Sequence, residues 1–134
     1  FILFLIKMSN VVVGIDFGSS GSGFAYAFKN NSEKEIIHGS IYGANVDNKV
    51  PTEIILDDNN ETLQFGVGCI KFMKEKGLES GHYFKEIKMN LYEKKTSIKA
   101  KNSGKELPLK LVIQRVLEKL KNLAFEEIKK NVQI

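Results

Sequence analysis

The chain has 134 residues, 43% hydrophobic and 27% charged, with a net charge of +4 and one cysteine. That is long enough for one domain with a core, and the lone Cys69 excludes an internal disulfide framework and a cysteine-based zinc site and suits a reducing, cytoplasmic setting. Residues 1–68 carry four Lys/Arg against eight Asp/Glu, and residues 69–134 carry sixteen against eight. The lysines of the basic half are interleaved with glutamates and lack an aromatic–arginine stacking pattern, so they read as a solvated face and no nucleic-acid partner is expected.

The opening FILFLIKMSN has too few apolar residues to span a bilayer and lacks the features of a cleavable leader, so no membrane partner is expected. Met8 reads as the natural start, and residues 1–8 as a non-native or disordered extension. Ser9 to Phe17, rich in β-branched Val11, Val12, Val13 and Ile15, predicts a buried strand. Phe24 to Phe28 predicts a second, and the short glycine-rich link makes the pair a hairpin. Ile36-Ile37 begins a third strand. Pro51 opens another over Thr52 to Leu56, which the polar turn Asp57–Asn60 joins to Thr62–Phe65. Gly66-Val67-Gly68 then leads into a short helix, Cys69 to Lys76. After a loop at Gly77–Gly81 come HYFKEIKMNLY and a lysine-rich, two-stranded stretch from Lys94 to Lys105.

Pro108 suits a first helical turn. Leu109, Val112, Ile113, Val116, Leu117, Leu120, Leu123, Ala124 and Ile128 follow at three- and four-residue spacings through Lys130, a packing stripe. Strands first and a long helix last imply an α/β or α+β unit spanning 9–134. The sequons Asn30-Asn31-Ser32 and Asn60-Glu61-Thr62 carry no weight in a cytosolic protein.

The chemistry concentrates in VVVGIDFGSSGSGFAYAF, residues 11–28. Alternation along the strand puts Val12, Gly14 and Asp16 on one face. Gly18-Ser19-Ser20-Gly21-Ser22-Gly23 then offers permissive backbone whose amides can converge on an anion, with Ser19 and Ser20 adding hydroxyls. An aspartate at that mouth can hold Mg²⁺ through water. No lysine follows the glycines as a Walker A loop requires, and no helix follows as a dinucleotide fingerprint requires. A phosphate here would be held by a β-hairpin turn.

GIDFGSSGSGFAYAF resembles the first phosphate motif of the actin, hexokinase and heat shock protein 70 ATPase superfamily, and is most similar to the heat shock 70 kDa protein 12A and 12B branch. KVPTEIIL, LQFGVGCIKF, HYFKEIKMNLY and the helix after ELP extend the likeness across most of residues 10–130. The resemblance implies a partial amino-terminal lobe of an actin-like nucleotide-binding domain, with a ribonuclease H-like core and a mixed sheet starting with a β-hairpin. It implies ATP or ADP with Mg²⁺ as cofactors, Asp16 as the magnesium-associated acid, and Gly18, Ser19, Ser20 and Gly21 around the phosphates. Lys88 matches the catalytic lysine, with Lys85 the alternative. A longer parent is expected to be an ATPase chaperone with protein clients and co-chaperones. No second Asp-x-Gly loop follows residue 23, so the piece alone is expected not to turn ATP over.

Two other readings stand beside this one. A non-catalytic, nucleotide-dependent interaction module would use the same loop. A ribonuclease H-like nuclease would need Asp16 to converge with acids such as Glu53, Asp57 and Asp58. His38 and His82 lack metal-ligand spacing and read as surface or hydrogen-bonding residues. Cys69, at a helix start, reads as buried and inert rather than reactive.

Overall fold

The alternation of VVVGIDF sets the central layer. In the computed structural model, which describes residues 2–7, 10–30, 35–77 and 79–132, these residues form strand β2 (Val11–Phe17), with Val11, Val13, Ile15 and Phe17 buried. Strand β3 (Gly21–Phe28) returns antiparallel, in register from Val11 opposite Phe28 to Phe17 opposite Ser22. Two short strands extend β3: β4 (Ile37–His38) pairs with Ala25 and Tyr26, and β5 (Val50–Pro51) pairs with Gly21 and Ser22. The β5 contact draws the 40s loop onto the β2–β3 turn. Met8 and Ser9, proposed above as chain start and strand start, lie outside the described residues, as do Asn31 and Ser32.

The expected extension at residues 1–8 takes a different form. Ile2–Lys7 is a strand, β1, pairing antiparallel with β2 from Ile2 opposite Phe17 to Lys7 opposite Val12. The physical reason is that β2 would otherwise present an unpaired row of backbone donors and acceptors. An adjacent apolar segment can satisfy them and half-bury Phe4 and Ile6 against the core.

Strands β6 (Ile54–Leu56), β7 (Thr62–Phe65) and β8 (His82–Phe84) make a second sheet, in the order β7-β6-β8. Helix α1 (Gly68–Lys76) follows β7, and α2 (Ile87–Tyr92) follows β8. Strands β9 (Ser97–Lys99) and β10 (Glu106–Pro108) form a separate hairpin that leads into α3 (Leu109–Val132). Pro108 therefore closes β10 instead of occupying the first helical turn; opposite Ser97 at a strand end, its missing N–H interrupts no longer ladder.

Every strand pair among the described residues is antiparallel, which corrects the expected mixed sheet. A parallel pair needs a crossover of a dozen or more residues returning to the same sheet. The one long helix here is the last element, with no described strand after it. The fold class is mixed α and β: antiparallel sheets with a long carboxy-terminal helix.

Helix α3 supplies the other half of the core. Leu109, Val112, Val116, Leu120, Ala124 and Ile128 are buried in one cluster with Val13, Ile15 and Phe17 of β2. Each fully buried Val, Leu or Ile contributes about 1.5–3 kcal/mol of burial. This layer holds β2 rigid, so the loop at its end emerges from a fixed strand. No described helix is long and apolar enough to cross a membrane.

Candidate functional site

The β2–β3 turn is tight because two glycines let backbone approach backbone. A side chain at Gly18 would run into the carbonyl oxygen of Gly21, and a Cβ at Gly23 would sit 2.6 Å from the carbonyl oxygen of Asn48. Neither Gly18, Gly21 nor Gly23 uses a left-handed φ, so their role is absence of bulk and not the backbone permissiveness expected from sequence. A buried hydroxyl relay fixes the turn from beneath. Thr52 Oγ1 donates to the Gly18 carbonyl at 2.9 Å and lies 2.7 Å from Ser22 Oγ. A hydroxyl has one proton to give, so Ser22 must donate to Thr52. Ser22 and Thr52 are 0% and 3% exposed; the sequence reading gave neither a role, although a serine on the inward face of β3 was the available signal.

Above the relay, Ser19 and Ser20 are exposed, and their hydroxyls make no hydrogen bond to described residues. They line a cavity of about 640 Å³ with Gly18, Gly21, Lys49 and Lys88. Lys88 is only 2% exposed. Its ammonium has no ion pair or hydrogen bond among the described residues and lies 5.6 Å from the centre of the Tyr92 ring. Its stem is buried while the ammonium, which is not among the buried unpartnered atoms, opens into the cavity beside the ring face. The fold puts it there because Glu86, with φ of 57°, turns the chain sharply before α2, and α2 then buries Ile87 and Lys88. Lys85 instead lines a separate cavity with Lys95, Lys99 and Lys101. Between the two lysines, only Lys88 shares a cavity with the loop.

Asp16 sits one step away. It lines a neighbouring cavity of about 230 Å³, and Asp47 and Lys49 line both. Lys49 Nζ pairs with Asp16 Oδ2 at 2.7 Å, whereas Asp16 Oδ1 is buried without a hydrogen-bond partner. The structure thus brings Gly18, Ser19, Ser20, Gly21 and Lys88 together, and joins Asp16 to them through Lys49.

The remaining candidates are engaged elsewhere. Glu53 accepts a hydrogen bond from the Tyr83 hydroxyl at 2.5 Å, Asp57 accepts from the Asn59 and Glu61 amides, and Asp58 pairs with His82. No group of three metal-ligating side chains occurs among the described residues, so the nuclease reading loses its acid cluster. Burial, with Glu53 nearby, pushes the Cys69 thiol up to about 12, the value of an inert thiol. His38 is exposed on β4, and His82 makes two hydrogen bonds.

No family model, curated protein or solved structure matches this chain. The residues themselves suit the expected ligands. The Asp16 side chain is 26% exposed and can offer a carboxylate oxygen to cation-bound water, and the free Lys88 ammonium, with the two serine hydroxyls, can meet phosphate oxygens.

Proposed function

We propose that this chain is the phosphate-binding part of a heat shock protein 70-like ATPase, holding the phosphates of Mg-ATP or ADP in the residue 16–23 hairpin. The observation that carries the reading is the meeting of the serine-bearing turn and the unpartnered Lys88 in one cavity. Ser19 and Ser20 donate hydroxyl protons to phosphate oxygens, and Asp16 holds the water shell of Mg²⁺. That ion, when bound, neutralises phosphate charge. Lys88, its stem buried in the cavity wall, places a positive charge where negative charge accumulates on a transferred phosphoryl group, and once a ligand excludes water from the cavity that charge acts more strongly than one in water. Turnover belongs to a longer actin-like domain with a second phosphate loop, in a cytoplasmic chaperone with protein clients and co-chaperones.

Amide NMR of ¹⁵N-labelled chain, titrated with pyrophosphate, ATP and adenosine, tests this. Pyrophosphate and ATP should shift the amides of residues 18–21 and of Lys88, and adenosine should leave them in place. Unmoved loop amides at millimolar pyrophosphate would sink the reading.

A further inference from the structure

We propose that Lys49 is a built-in counter-cation for Asp16, which a divalent cation must displace and which entering phosphate draws away. This rests on the phosphate-site reading above. Three observations support it. Lys49 Nζ holds Asp16 Oδ2 at 2.7 Å, a charge-assisted contact, while the other carboxylate oxygen is buried and unpartnered. The acid is therefore half-satisfied by an ammonium placed where a hydrated cation would compete.

The second observation concerns how Lys49 is mounted. Its backbone is fixed at both ends: the Lys49 amide donates to Asn45 Oδ1 at 3.1 Å, and its carbonyl accepts from the Asn45 amide at 2.8 Å. Val50, the next residue, is paired to β3. The side chain is 37% exposed, so the backbone is held while the ammonium sits at the surface with solvent beside it. Third, Lys49 lines both the Asp16 cavity and the loop cavity. It has somewhere to go, and a phosphate beside Ser19, Ser20 and Lys88 supplies the attraction.

An ammonium and a divalent cation cannot share one carboxylate without strong repulsion at a few ångströms. Phosphate and cation should therefore bind cooperatively: phosphate takes Lys49 off Asp16 and opens it to the metal, and the metal by linkage favours phosphate to the same degree.

Mn²⁺ binding, read by electron paramagnetic resonance with and without pyrophosphate, distinguishes the possibilities. The samples are the 134-residue chain, Lys49→Met, Lys49→Arg, Asp16→Asn and Lys49→Met/Asp16→Asn, each checked for folding by circular dichroism. Without pyrophosphate, Lys49→Met should bind Mn²⁺ about tenfold more tightly than the parent, the scale expected when a like charge a few ångströms away is removed. Pyrophosphate should strengthen Mn²⁺ binding in the parent and add little in Lys49→Met. Lys49→Arg should behave as the parent, and the double variant should lose the gain. Equal Mn²⁺ affinity in parent and Lys49→Met, with a drop in Asp16→Asn, would overturn the guard role and leave the phosphate site intact. A gain in Lys49→Met that depends on Asp16, with pyrophosphate moving no loop amide in any sample, would uphold the guard and remove the phosphate reading. Equal affinity in all five samples would overturn the proposal outright.

Discussion

Two polar regions of this molecule handle their hydrogen bonds in opposite ways. Around the β6–β7 and β9–β10 turns, polar groups close on one another. His82 donates Nε2–H to Asp58 and lies 2.7 Å from Ser103 Oγ, Asp57 caps two amides of its own turn, and Asn102 bridges the Tyr83 amide and the Gly81 carbonyl. Asn60 Oδ1 is the buried exception. At the β2–β3 loop the closure stops below the surface: the Ser22–Thr52–Gly18 relay is satisfied, but Ser19, Ser20, Lys88 and one oxygen of Asp16 are left open. A region that satisfies itself holds the fold together, and one that leaves a buried charge short of partners keeps capacity for a ligand.

The largest test of that contrast is Gly18→Ala. Its new Cβ meets the Gly21 carbonyl oxygen, and both ends of the turn are pinned by strand pairing and by Thr52. Relief requires moving backbone, at about 2–3 kcal/mol of stability. Urea denaturation should report this loss, together with shifted amides at residues 18–21. Stability within experimental error of the parent would mean that the turn is loose and that its glycines are not needed for close approach.

Next in size is Lys88→Met, where stability and phosphate binding should not fall together. The Lys88 stem is buried with its ammonium at the cavity, and the ring face returns that charge only about 0.5–2 kcal/mol. Methionine fills similar space without the charge, so stability should hold or rise by up to about 1 kcal/mol. Pyrophosphate binding should weaken at the same time. A variant less stable than the parent would show that Lys88 is a structural cation with partners of its own.

The same contrast explains how much could be read from the sequence. Strand β2, strand β3 and the α3 stripe were legible because their periodicities of two and 3.6 are written in adjacent residues. The hairpin turn and Asp16 at a strand end followed from them. The resemblance favours Lys88 with Lys85 as the alternative, but that Lys88 shares the loop's cavity was not legible, since it depends on the left-handed Glu86 and the placing of α2. Thr52 was missed because its bond to Gly18 joins residues 34 apart. Strand β1 was misread because apolar residues on both faces carry no alternation, and only pairing with β2 gives them a place. Lys49 was hidden for the same reason: nothing local to NKVP points at Asp16.

The smallest expected effect, and the one with a pH signature, lies in the self-satisfied region. Asp58 is held below the usual carboxylate range, first by its hydrogen bond from His82, then by the charges of His82 and Lys105. Its folded pKa is lower than its unfolded value of about 3.9. Its contribution is therefore present above that value and is lost as pH falls through the folded pKa. Asp58→Asn should lower the urea midpoint slightly at pH 7, because the side chain is exposed and water screens the pair. The gap from the parent should persist down to about pH 5 and close below about pH 4. A gap that stays constant through the acid range would mean that the His82 contact is a neutral hydrogen bond, leaving Asp58 no electrostatic part in joining the two turns.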